Sequence, residues 1–124
     1  MKITPVLVVE EVEPSLPFWI DRMGFQSVAE VPQGDRIGFV ILMRDGTELM
    51  LQSLASVRAD EPAFAAAGAS RVASLFIEVD DFADTLQRLE GYPLAMPERT
   101  TFYGMREVGV FEPGGNIVIF AVRI

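Results

Sequence analysis

The chain has 124 residues, half of them hydrophobic, with ten basic and eighteen acidic residues, no histidine and no cysteine. The length fits one domain with a real core, and a net charge of −8 repels phosphate backbones and argues against nucleic acid as a partner. Missing cysteines exclude disulfides, thiolate metal sites and thiol nucleophiles, and missing histidines leave the serines without their usual base.

A strand is predicted over 3–9, where the chain starts without the long apolar run and small-residue cleavage site of a secretory leader. With no stretch near the roughly 20 apolar residues that span a bilayer, a cytoplasmic protein with no membrane partner is expected. Glu10, Glu11 and Glu13 follow, and suit the positive end of a helix over 14–22, with Leu16, Trp19, Ile20 and Met23 as its apolar stripe and Gly24 as its cap. Strands are predicted over 26–31, 36–43 and 48–53, with Asp45-Gly46 as a hairpin turn between the last two. Residues 55–70 are rich in alanine and leave two readings open, a short helix over 63–67 or a flap.

The second half repeats this order: a strand over 73–79, the acids Asp80, Asp81 and Asp84, then a helix over 82–90 ending at Gly91. Strands over 94–97, 106–111 and 117–124 follow, the last two joined by the turn Pro113-Gly114-Gly115-Asn116. At an offset of 70, Val9-Glu10-Glu11-Val12 falls on Val79-Asp80-Asp81-Phe82; at 68, Leu49-Met50-Leu51 falls on Ile117-Val118-Ile119. Two modules are therefore expected, about 1–53 and 72–124, joined by a linker over 54–71, each running strand, helix, three strands.

Two βαβββ modules, Pro5-Val6-Leu7, the run Ser15-Leu16-Pro17-Phe18-Trp19-Ile20-Asp21-Arg22-Met23-Gly24-Phe25, and the tail from Gly104 to Phe120 resemble the vicinal oxygen chelate superfamily of glyoxalases, extradiol dioxygenases and bleomycin resistance proteins. The Phe-Trp pair with Asp and Gly-Phe after it is most similar to the bleomycin resistance branch. The resemblance implies an α+β fold in which the modules form a curved mixed sheet around a cleft, and a homodimer that exchanges its first strand, with Pro5 in the exchanged arm. It also implies a divalent metal in the enzymes of the group, held by His and Glu. Carried onto this chain, the ligand positions fall on Thr4, Met50, Ser74 and Ile119, none of them a normal ligand for such an ion. No metal and no cofactor are therefore expected.

Alternation along the strands groups Val6, Val8, Glu48, Met50, Gln52, Phe76, Glu78 and Ile119 on the cleft side, an apolar wall with a few polar groups. Phe39 and the pair Phe102-Tyr103 add aromatic walls, and Glu48, Glu78 and Glu107 add acids at the mouth. Such a wall suits a small cationic or aromatic ligand; it equally suits a second hydrophobic core. The function expected is sequestration of a drug or metabolite, with a carboxylate-based metal enzyme as the alternative.

Overall fold

The structure is a computed structural model that describes residues 1–68 and 72–124, with the side chains of Ala67 and Gly68 outside the description. The chain divides into two compact units, Met1–Arg71 and Val72–Ile124. The end of the predicted linker, 69–71, lies outside the described residues.

The first unit carries strands β1 (Val6–Val9), β2 (Gln26–Gln33), β3 (Arg36–Arg44) and β4 (Thr47–Ser53), in the spatial order β1-β4-β3-β2. β1 runs parallel to β4, and the other pairs are antiparallel. The hairpin between β3 and β4 turns on Asp45 and Gly46, both at positive φ, as the Asp-Gly pair requires. Leu7, Val9, Val40, Leu42, Leu49 and Leu51 are buried on one face, as alternation demands.

The predicted helix over 14–22 differs in kind from the structure. A 3-10 turn at Glu13–Ser15 passes into a π-helical segment at Pro17–Arg22. Its wide turn ends with Met23 N–H donating to Phe18 O at 2.9 Å and Phe25 N–H to Trp19 O at 2.9 Å, around Gly24 at φ +79°. The widened turn changes which residues share a face. Phe18, Trp19 and Met23 are buried, whereas Leu16 and Ile20, spaced for an α-helix, are only half-buried.

The Ala-rich segment forms two helices, α1 (Leu54–Asp60) and α2 (Pro62–Gly68). The predicted helix over 63–67 lies inside the second; the first was not legible. Ser53 caps α1 by accepting the Ser56 N–H at 3.2 Å. Leu54, Val57 and Ala65 pack together, with Val8 of β1 against them.

The second unit carries β5 (Ser74–Glu78), α3 (Phe82–Arg88), β6 (Met96–Thr100), β7 (Met105–Phe111) and β8 (Ile117–Arg123), in the sheet order β5-β8-β7-β6. This is the order of the first unit repeated. The fold is thus α+β, two four-stranded mixed sheets with helices. Asp81 caps α3 by accepting the Asp84 N–H at 2.9 Å, the structural role expected of those acids. Val108, Val110, Val118 and Phe120 are buried with Phe82 and Leu89 of the α3 region.

The strand predicted over 94–97 is shifted to Met96–Thr100. Pro97 sits at an irregularity, where the pairing jumps from Met96↔Gly109 to Arg99↔Glu107. Proline donates no ladder hydrogen bond, and an edge-strand bulge accommodates it; the proline marked the bulge and not the strand's end.

Candidate functional site

Strand pairing settles which side chains stand together. In the first sheet Val6 lies beside Met50, and Met50 beside Ile41; Val8 lies beside Gln52, and Gln52 beside Phe39. All six are on the face opposite the buried leucines, so Phe39, Met50 and Gln52 share one face of this sheet. That face is not uniformly open. α1 and α2 cover Val8, and Gln52 Nε2 donates to Ser56 Oγ of α1 at 3.1 Å. Glu48 is ion-paired with Lys2 at 3.1 Å.

In the second sheet one row runs Phe76, Ile119, Gly109, Met96, and the next runs Glu78, Ala121, Glu107, Arg99. Phe76, Glu78, Ile119 and Glu107 therefore share the face opposite Val118 and Phe120. A Cβ on Gly109 would stand 3.0 Å from Met96 Cβ, so a side chain there would require the edge strand to give by a few tenths of an ångström. Phe76 is 51% exposed and Phe102 is fully so. The Phe102 ring meets Tyr103 edge-on at 5.1 Å.

The equivalence of the two last strands needs a correction. The offset of 68 sets Met50 against Val118, but the ladders pair Met50 with Val6 and Ile119 with Phe76, its counterpart 70 residues on. Met50 therefore corresponds to Ile119, and Val118 points to the buried face. A slip of one residue reverses the face of every side chain.

Glu107 was expected among acids at a mouth. Its side chain is instead fully buried. Arg99 Nε and Nη2 each donate to its Oε1 at 3.1 Å, and the Tyr103 hydroxyl donates to Oε2 at 2.6 Å. A buried carboxylate requires such partners. The chemical identity of Glu107 was legible in the sequence, but its partners, eight and four residues away around a turn, were not. Glu112 is buried as well and was missed. It accepts the N–H groups of Gly114 and Asn116 at 2.9 and 3.0 Å and the Asn116 amide at 2.8 Å.

The positions where the resemblance places metal ligands do not fit a metal. Met50 and Ile119 stand in apolar rows, and Thr4 and Ser74 are hydroxyls at the strand starts. Among the described residues no three carboxylates gather into a potential metal cage. No helix among them is long and apolar enough to cross a membrane.

A separate cavity of about 260 Å³ in the first unit is lined by Glu11, Glu13, Arg36, Ile37, Ser53 and Arg58, among others, and by none of the predicted site residues. Glu13 Oε2 accepts the Ile37 N–H at 3.0 Å. That bond, followed by one from its own backbone N–H and the nearby Arg36 charge, holds the Glu13 carboxyl below its ordinary value of 4.5 despite opposing burial. A carboxylate with a lowered native pKa stabilises the fold above the unfolded value and loses that contribution as pH falls through the native one. Glu13→Gln should therefore flatten the fall in urea-unfolding stability between about pH 6 and about pH 3. Parallel wild-type and variant curves would refute this.

A family model described as the glyoxalase/bleomycin resistance protein/dioxygenase superfamily matches residues 3–120. Among solved structures, TioX from Micromonospora sp. ML1 is similar with a TM-score of 0.80 at 17% identity, over 100% of this chain and 99% of that one. Lactoylglutathione lyase from Agrobacterium tumefaciens gives 0.76 at 20%, over 98% and 92%. A bleomycin-binding protein from bleomycin-producing Streptomyces verticillus, complexed with copper(II)-bleomycin, gives 0.63 at 25%, over 97% and 93%. No curated protein sequence matches. With its duplicated sheets and a family match over nearly its full length, the chain belongs to the glyoxalase/bleomycin resistance protein/dioxygenase superfamily.

Proposed function

We propose that the chain is a metal-free small-molecule binding protein of the bleomycin resistance type, a cytoplasmic homodimer that sequesters its ligand without altering it. The observation that carries this reading is the register of the two sheets. Met50 sits beside Val6 and Ile119 beside Phe76, so two of the four corners that would hold a catalytic ion present apolar groups, and the other two, Thr4 and Ser74, present only hydroxyls. Partly exposed apolar side chains at those corners, with Phe76 half-exposed, are the material of a small-molecule site. The likeness to a protein that binds copper(II)-bleomycin supports the choice of ligand for a first test.

Calorimetric titration of the purified chain with bleomycin, metal-free and copper-loaded, should give a saturable heat. Elemental analysis of the same preparation should find no stoichiometric divalent metal. A bound metal whose chelation abolishes a measurable turnover would overturn the reading in favour of an enzyme.

A further inference from the structure

The second sheet holds a charged pair in a place where an apolar one would serve stability as well. Replacing buried ion pairs by well-packed apolar residues is often neutral or stabilising, so the Arg99–Glu107 pair invites an explanation beyond packing. Its geometry supplies one. Glu107 is fully buried, but the Arg99 side chain is 51% exposed. Glu107 Oε1 takes Nε and Nη2 of the guanidinium, which fixes its plane. A guanidinium carries five N–H donors in a rigid fork; the Tyr103 hydroxyl also stands against this one, and among the described residues no hydrogen bond is drawn from Nη1. The Tyr103 hydroxyl shares the Glu107 charge, so the arginine keeps part of its positive character.

An apolar strip lies beside this fork. The adjoining row is Phe76, Ile119, Gly109 and Met96, about 7 Å along the strands from the Arg99 row, two residues at roughly 3.3 Å each. Ala121, fully buried and small, separates Glu107 from Glu78. Glu78 stands three strands from Arg99, about 14 Å across the sheet, where salt screens its repulsion.

We propose that this face of the second sheet takes a planar apolar molecule bearing an oxyanion, its carboxylate on the Nη1 edge of Arg99 and its rings over Ile119 and Phe76. The inference rests on the binding-protein reading and names the ligand class within it, an aromatic acid in place of the cation that the overall charge suggests. Arg–carboxylate pairing supplies direction and the apolar row supplies contact area.

The test compares three probes of one shape on the unmodified chain by calorimetry at about 0.15 M salt, where the Debye length is about 8 Å: 2-naphthoate, 2-naphthamide and 2-(aminomethyl)naphthalene. Naphthoate should bind saturably, and the neutral amide and the amine about tenfold more weakly or worse. Arg99→Lys keeps the charge but not the fork and should lose part of the naphthoate affinity. Arg99→Met with Glu107→Leu removes the pair without stranding a buried charge; confirmed folded by circular dichroism, it should lose about tenfold or more. Equal or tighter binding of the amine or the amide, no binding of naphthoate, or unchanged affinity in the double variant would overturn the assignment. Bleomycin heat retained in any of these cases would leave the binding-protein reading standing.

Discussion

Trp19→Ala is expected to lower the unfolding free energy by about 3–5 kcal/mol, the range for emptying a buried aromatic site. Trp19 has no exposed surface and stands edge-on to Phe18 at 5.0 Å and to Phe25 at 5.3 Å. The three rings close the π-helical segment, and Arg44 Nη1 donates to Met23 O at 2.7 Å just beyond it, tying that end to β3. Truncation leaves a cavity that two rigid neighbours cannot collapse into. Against a total stability of about 5–15 kcal/mol, the loss approaches unfolding. Trp19→Phe should cost less, about 1–2 kcal/mol, because the indole Nε1–H is buried with no partner among the described residues and its removal relieves an unsatisfied donor. Urea unfolding followed by far-ultraviolet circular dichroism measures both. A loss under about 1 kcal/mol for Trp19→Ala would mean that the ring cluster contributes little.

The second large effect is expected at Glu112. Its carboxylate accepts Gly114 N–H, Asn116 N–H and the Asn116 side-chain NH2, and Asn116 Oδ1 of the same side chain accepts Ala73 N–H at 2.8 Å, just ahead of β5. One buried side chain thus holds the turn between β7 and β8 and, through Asn116, the start of the neighbouring strand. Glu112→Ala leaves the two buried donors of Asn116 unpaired, each costing about 1–3 kcal/mol, so a loss of about 3 kcal/mol or more is expected. Glu112→Gln keeps the shape but turns one acceptor into a donor facing other donors, and should fall between the two. Hydrogen exchange gives an independent readout. The amides of Ala73, Gly114 and Asn116 should lose protection in Glu112→Ala more than those of β3, in the other unit. Uniform loss across both units would show that the network has no local role.

Much of the fold was legible because it depends on patterns that are local. Alternation placed β3, β4, β7 and β8 within a residue or two, Asp45-Gly46 announced its hairpin, and Asp80, Asp81 and Asp84 announced a helix start. The failures share a cause. The first helix followed an α-helical stripe, but tertiary packing of Phe18, Trp19 and Met23 selected a wider turn. Pro97 looked like a strand end because the bulge that tolerates it forms only when β6 pairs with β7. The offset of 68 equated Met50 with Val118 because residue types resemble each other on both faces, and only pairing with β1 and β5 reveals the face.

The sequence by itself determined the duplication, the order of the strands and the absence of imidazole and thiolate donors, since these are written in residue type and short-range spacing. Tertiary structure alone decided which polar groups are satisfied. Glu107 and Glu112 read as two more surface acids in a chain of net charge −8, yet both are buried and fully engaged. The reason is physical: whether a carboxylate attracts a ligand, orients an arginine or ties a turn depends on the donors that the folded backbone brings within 3 Å of it, and those donors come from other strands and turns.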